Sequence, residues 1–457
     1  MGYSCASMMR PITRILAVFA VFSLVVQPAA AQSVLRDAET EALLEDMAAP
    51  LAEAAGLEDV DIVLINDPSI NAFVAGGQRI YIHSGLLNAA EDAGEVQGVI
   101  AHELGHITGG HVLRHSEGAS TAGNITILSL LLGLAAAAAG AGEAGMGIIA
   151  AGQQAAMGNY LSFSRVQESS ADAAGVEYLS KAGISGRGSL KFFGRLLNQE
   201  FRYYRNQSDE AEFYRTHPLS GDRISRLEAD YRADPAWDVP TDPALQARFV
   251  RAKAKLYGFL AKPQDTFRAY PDSDGSVPAR YARAYAYHKD ARTPDSLREV
   301  DALLAAEPDD PFFLELKGQV LLETGQPDAA LAPLRRATEL TGAQPLIASM
   351  FGHALIATED AEHFAEAERV LKASVARDRL NPFAWYQLGQ IYAAQGDIPR
   401  ARLASAEQQA MRQQWPEALT SAQAAQAGLD TGTPDWIRAQ DIEYQARDAL
   451  KRARDRR

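Results

Sequence analysis

Two histidines four residues apart with a glutamate beside the first, His102-Glu103-Leu104-Gly105-His106, are the residues of this chain best suited to chemistry. Apolar residues at Val96, Val99, Ile100, Leu104 and Ile107 recur at helical spacing, which predicts a buried helix. Residues four apart on a helix lie one above the other. Both imidazoles therefore face one point, as two ligands of a tetrahedral zinc must. Glu103 is turned from His102 by about 100°, near enough to hold a water at the metal without ligating it. The stretch is otherwise nearly uncharged, and an unpaired buried His and Glu would be costly, so the spacing points to a metal site rather than coincidence.

A catalytic zinc needs a third protein ligand and one open position. His111 and His115 follow closely, but a third histidine in the pattern HExxHxxGxxH would fall at Val112, one residue past His111. Both read instead as helix-end histidines, which suit a C-terminal turn. Glu168 is the stronger candidate. It lies in Ser164-Arg-Val-Gln-Glu168-Ser-Ser-Ala-Asp172, a predicted helix with Glu168 and Asp172 on one face. Asp172 is placed to accept the spare N–H of a ligating histidine and fix its tautomer; the competing reading is a solvated acidic face. Downstream, Thr216-His217-Pro218 and Arg223 offer cations for a developing oxyanion, His217 first and Arg223 second. His217 could instead cap the next helix. It could also take the open zinc position as a neutral imidazole and hold the site latent until a loop moves.

Several elements must position these groups. Residues 36–56 predict a helix, with Leu35, Ala38, Ala42, Leu43, Met47 and Leu51 near one face. Val60 to Asn66 predicts a strand, Asn71 to Gly77 a loop with a glycine reversal, and Arg79 to His83 a second strand. That second strand is expected at a sheet edge, where an extended substrate would pair by main-chain hydrogen bonds. The substrate-binding candidates are then Asn71, Arg79, Ile80, Tyr81, Ile82 and His83. Ser84-Gly85-Leu86-Leu87 opens a helix toward the histidine motif. Residues 119–160 carry a single charge, Glu143, and are expected as a helical hairpin packed in the domain; the sharper readings are a lid, or a surface touching membrane or unfolded protein. Helices near 187–201 and 219–230 complete this half.

The proline-rich stretch 231–243 marks a boundary. Beyond it Pro311, Pro345 and Pro382 lie 34 and 37 residues apart, and Gly318, Gly352 and Gly389 follow each at similar places. Trp385-x-x-Leu388-Gly389-x-x-Tyr392, with Gly396 and Ala401, fits the tetratricopeptide pattern. The unit near 278–310 is weaker, and 416–455 reads as further helices or a cap.

The net charge of −14 over 457 residues argues against a nucleic-acid binder and against electrostatic docking on anionic lipid. Arg10 and Arg14, the uncharged run Ile15–Val26 and Ala29-Ala30-Ala31 read as a secretory signal, against the alternative of a retained anchor. The one cysteine, Cys5, lies in that segment, so no disulfide or thiolate ligand is expected in the mature chain. Export of a cysteine-free chain suggests the bacterial periplasm.

HELGH at 102–106, SRxQExxAD at 164–172 and THPLxxxRI at 216–224, preceded by Asn71-Ala-Phe and the Gly85-Leu-Leu helix, resemble the gluzincin peptidases of family M48. The resemblance implies zinc held by His102, His106 and Glu168, catalysis by Glu103, and support from Asp172. The implied fold is mainly α: a gluzincin-type α+β metallopeptidase domain with a small sheet (32–232), a linker (233–250) and an all-α tetratricopeptide-repeat solenoid (251–457), after a signal peptide (1–31). The implied role is hydrolysis of unfolded or misassembled envelope proteins, with the repeats meeting clients or the outer-membrane assembly machinery. A chaperone or assembly scaffold with a latent or vestigial peptidase is the competing reading.

Overall fold

The structure is a computed structural model that describes residues 33–58, 60–138, 142–203, 217 and 221–455. The expected signal segment lies outside them, as do Thr216 and 218–220 around His217. The chain is mainly helical with one small sheet.

β1 (Ser33–Leu35) leads into α1 (Ala38–Ala55), which begins where the Asp37 side chain accepts the Thr40 N–H and ends at Gly56 in the left-handed region. Its Leu43, Leu44, Met47 and Leu51 are buried, as the spacing predicts. β2 (Asp61–Asn66), β3 (Ala72–Ala75) and β4 (Arg79–His83) complete a sheet of order β1-β2-β4-β3. β2 runs parallel to β4 with Ile62 beside Ile80, whereas β3 and β4 are an antiparallel hairpin turning at Gly76 and Gly77, both at positive φ.

This topology corrects two expectations. Ala72–Ala75 is a strand, not part of a loop, and β4 is therefore interior. With β2 on one side and β3 on the other, its main chain is paired along both sides and offers a substrate no ladder. Its side chains are also committed. Ile80 and Ile82 are fully buried in the core, Arg79 pairs with Asp61, and Tyr81 stacks on Phe73. His83 is buried with Nδ1 2.8 Å from Ser69 Oγ, and the Asn71 carbonyl accepts the His83 N–H. Among the described residues, the strand edge on that side of the sheet belongs to β3.

α2 (Ser84–Ala89) passes to α3 (Ala93–Thr108), the histidine-motif helix, which starts with the Asp92 side chain accepting the Glu95 N–H. Val96, Val99, Ile100 and Leu104 on α3 pack with Met47, Leu51, Ile80 and Ile82 in one core. α4 (His111–Ala138) and α5 (Gly142–Lys181) pack on each other as the expected hairpin. Their apolar stretch is not buried in the domain, however: Ile127, Leu128, Leu130, Leu131, Leu132, Met146 and Met157 are exposed. Among the described residues, no helix is long and apolar enough to cross a membrane. α6 (Arg187–Tyr203) and α7 (Gly221–Ala233) close this half.

The stretch 233–250, read as a linker, is one only as far as Asp242. α8 (Pro243–Leu260) follows, and its Phe249, Ala252 and Leu256 belong to the core of the first half. The Gln246 side chain accepts the Ala93 N–H and Lys253 donates to the Ala90 carbonyl, so α8 is bound to the start of α3 rather than hinged from it.

Then come α9 (Pro263–Ala269), α10 (Val277–Lys289), α11 (Thr293–Ala306), α12 (Pro311–Glu323), α13 (Pro327–Leu340), α14 (Pro345–Ala357), α15 (Phe364–Arg377), α16 (Pro382–Ala394), α17 (Ile398–Met411), α18 (Trp415–Gly428) and α19 (Pro434–Asp455). α12, α14 and α16 each start on the predicted proline, with the side chain of Asp310, Gln344 or Asn381 capping the first N–H groups. The glycine that follows each proline sits where paired helices touch. A Cβ on Gly318 would lie 2.3 Å from Leu334 and one on Gly352 2.6 Å from Leu371. The array folds back on the start of the first half: Ala38 packs with Leu314, Ala337 and Ile347, and Arg36 pairs with Asp378.

Candidate metal centre

α3 and α5 build the site, and their close approach depends on Gly105. A Cβ there would stand 2.5 Å from the Ala171 carbonyl oxygen, inside van der Waals contact. Without one, the turn of α5 bearing Glu168 and Asp172 lies directly against the turn bearing His102 and His106. Here His102, His106, Glu168 and His217 converge, all buried.

The donor atoms have the spacing of a coordination shell. His102 Nε2 lies 3.1 Å from His106 Nε2, 3.4 Å from Glu168 Oε2 and 3.3 Å from His217 Nδ1. Glu168 Oε1 lies 3.4 Å from His106 Nε2 and 3.1 Å from His217 Nδ1. A regular tetrahedron with about 2.0 Å from centre to vertex has edges of roughly 3.3 Å, the size zinc–nitrogen and zinc–oxygen bonds require. Hydrogen bonding alone would not draw three imidazole nitrogens and a carboxylate to a common point. The donors present, three imidazoles and one carboxylate, fit zinc.

Each ligand is held from behind. His102 Nδ1 is 3.0 Å from Asp172 Oδ1, as the four-residue spacing of Glu168 and Asp172 suggested. Arg223, from α7, donates through Nη2 to Asp172 at 2.8 Å and pairs through Nη1 with Glu168 at 2.9 Å. The guanidinium is thus bound to the two acids, a clamp on Glu168 and on the Asp172 carboxylate behind His102, rather than aimed at an oxyanion. Burial alone would lower the His102 pKa, but Asp172 and Glu168 more than offset it and take it up to about 9. Burial also works against ionising Glu168, yet His217 and the two ligand histidines hold it well below the usual carboxylate range. Burial lowers the His106 pKa.

The sequence offers His111 as a possible third ligand and favours it as a helix-end residue at a C-terminal turn. His111 opens α4 instead, and its Nδ1 lies 2.9 Å from His106 Nδ1 while Nε2 lies 2.9 Å from Ser170 Oγ. It orients the second ligand much as Asp172 orients the first. The signal in the sequence was the pair Gly109-Gly110, with Gly110 at positive φ, which turns the chain back over His106. Glu103 is fully buried, neither oxygen has a hydrogen-bond partner among the described residues, and Oε1 lies 3.6 Å from His217 Nε2.

Residues 35–230 match the family described as Peptidase family M48. The chain is 27% identical over 406 residues to the beta-barrel assembly-enhancing protease of Yersinia pestis, covering 86% of this chain and 79% of that protein. It is 30% identical over 171 residues to the metalloprotease LoiP of Escherichia coli strain K12, covering 36% of this chain and 60% of that protein. Among solved structures, that of the MamA protein covers 42% of this chain and 91% of its own at 17% identity, with a TM-score of 0.29.

Proposed function

From a chain that carries a Peptidase family M48 domain, and is a zinc metalloendopeptidase, we propose a protease of the bacterial periplasm. It degrades misassembled envelope or outer-membrane proteins and docks clients or assembly machinery through its helical repeats. The observation that carries the enzymatic part is the four-donor cluster with a buried glutamate beside it whose oxygens accept no hydrogen bond among the described residues. The likeness to a beta-barrel assembly-enhancing protease along 86% of the chain supports the client class.

His102, His106 and Glu168 would hold zinc, which when bound polarises a peptide carbonyl and acidifies water. Glu103 accepts the proton of the attacking water and passes it to the leaving amine. Asp172 and His111 keep the two ligand imidazoles in the tautomers that present Nε2 to the centre. Arg223 fixes Glu168 and Asp172 relative to each other.

For His217 the geometry favours the latch over oxyanion binding. Its Nδ1 stands among the ligand atoms, at the corner a catalytic site keeps open. Displacement of His217 then switches hydrolysis on, which leaves the chain a docking protein while the latch is shut. The purified mature chain is expected to bind one zinc, to lose cleavage of an unfolded protein such as casein on chelation, and to regain it with zinc. His217→Ala is expected to raise basal cleavage several-fold with zinc retained; lowered cleavage would restore the oxyanion role.

A second contact is proposed for the α4–α5 hairpin. Leu128, Leu131 and Leu132 are all exposed and, three and four residues apart, share one face of the helix, an apolar stripe that the surface of a bilayer would cover. Flotation with phospholipid vesicles, lost on Leu128→Ser with Leu131→Ser, is the test; equal flotation of the double variant would remove the contact.

A further inference from the structure

A second site lies at the seam between the two halves, far along the chain from the metal ligands. A cavity of about 700 Å³ is lined on one side by Leu35, Asp37 and Lys255 and on the other by the first helices of three successive repeat units, α12, α14 and α16. Its volume is within the ~300–1,000 Å³ of ligand sites, and apolar side chains such as Leu256, Leu322, Met350 and Phe383 form most of the wall.

Two polar groups in that wall lack a hydrogen-bond partner among the described residues, the Thr40 hydroxyl on α1 and a carboxyl on the facing repeats, and the carboxyl is the costlier. Glu315, on α12, is 8% exposed, and its Oε2 has no hydrogen-bond partner among the described residues. The neighbouring charges are already engaged. Lys255 pairs with Asp37 at 2.5 Å and Glu39 at 3.4 Å, and Arg251 bridges Glu39 and Asp310. Arg36, also in the wall, pairs with Glu41 and Asp378. Three cations therefore stand against the five carboxylates of Asp37, Glu39, Glu41, Asp310 and Asp378 before Glu315 is counted, and the excess is negative. A buried carboxyl without a partner is costly, and burial pushes the Glu315 pKa up to about 8, with Lys255 pulling it the other way. His353, also in the wall, is held toward its neutral form by burial and adds no competing cation.

We infer that this cavity binds a lysine side chain of an extended polypeptide, the aliphatic stem lying on the apolar wall and the ammonium ion pairing with Glu315. An anion would meet the acidic excess, and a wholly apolar side chain would leave Glu315 unsatisfied. A cation on an apolar stem answers both, and the aromatic residues Tyr285 and Phe383 in the wall suit it further. Three consecutive repeat units share the lining, which suits a segment of chain crossing them rather than a compact metabolite. The inference deepens the client docking proposed for the repeats and rests on it.

The test uses the full mature chain carrying Glu103→Gln, so that bound peptide is not hydrolysed. Fluorescein-labelled, N-acetylated decapeptides of Ser, Leu and Val with one central lysine, norleucine or glutamate are titrated by fluorescence anisotropy. The lysine peptide is expected to bind at least ten-fold more tightly than the norleucine peptide, and the glutamate peptide more weakly than either. Adding Glu315→Gln should bring the lysine peptide to the norleucine level and leave the norleucine peptide unchanged. Met350→Trp, which narrows the cavity, should weaken both. Equal binding of lysine and norleucine peptides, or a Glu315→Gln effect common to both, would overturn the lysine site while leaving docking by the repeats in place. Absence of binding by any peptide would overturn the docking role with it. Displacement of the lysine peptide by micromolar cadaverine would overturn the polypeptide in favour of a free amine.

Discussion

Glu103 and Glu315 are both buried, and both oxygens of Glu103 and Oε2 of Glu315 accept no hydrogen bond among the described residues, yet their surroundings are opposites. Beside Glu103, three imidazoles and a carboxylate bring their donor atoms within 4.8 Å of one another, most of the pairs at 3.1–3.4 Å. Beside Glu315 the cations turn to other acids and a cavity of about 700 Å³ opens. The same unsatisfied group is therefore proposed for a proton transfer at a fixed atom in one place and for recognition of a larger partner in the other. The helix packing that carries the groups differs to match. α3 and α5 meet backbone to backbone at Gly105, whereas α12, α14 and α16 present side chains to a shared hollow.

The comparison breaks most visibly at Glu103. If its free carboxylate is the base, Glu103→Gln keeps the metal and lowers kcat by roughly 10²–10⁴-fold; zinc content and casein cleavage measured on the same sample check both halves. Retained cleavage would return Glu103 to a structural role. Next comes the support behind the ligands. Asp172→Asn leaves the three ligands in place but loosens His102 and frees one arm of Arg223. A fall of about 10–100-fold in zinc affinity, read by competition with a chromogenic chelator, is the expected size for such a group. Gly105→Ala probes the approach of the two helices. Its Cβ must displace the Ala171 backbone, so a stability loss of about 1–3 kcal/mol is expected together with weaker zinc binding. Stability lost with zinc affinity intact would show that the centre tolerates a wider gap.

The metal half was largely legible because its signals are local: four-residue spacing places His102 over His106 and Glu168 over Asp172 without knowledge of the fold. Where pairing between distant segments decides, the sequence misled. Arg79–His83 alternates as an edge strand would, but β2 pairs with it in parallel across an intervening strand, and nothing within the five residues announces a partner on each side. His111 was legible only through the turn before it, since its role depends on where Gly109-Gly110 sends the chain. The seam was not legible at all. Asp37 meets Lys255 and Glu39 meets Arg251 across more than two hundred residues, and each reads alone as an ordinary solvated charge. The repeats, by contrast, were visible as prolines and glycines in phase, because each unit repeats the same local cap and the same helix contact.

The smallest expected effect lies at Glu315 and is one of sign. Its folded-state pKa is raised from 4.5 to about 8, so between those values the folded protein keeps a proton that the unfolded chain has released. Below pH 4.5 both states are protonated and the group costs nothing. As pH rises toward 8 the unfolded state gains by ionising while the folded state does not, so stability falls across that window and levels off above it. Glu315→Gln removes the titration and its slope. The variant and the parent should melt together near pH 4.5, and the variant should melt a few degrees higher near pH 8.5. All other titrations, those of the ligand histidines included, are shared by the two proteins and cancel in the difference. A difference that stays constant with pH would mean the carboxyl already has a partner in solution, and the distinction drawn between it and Glu103 would collapse.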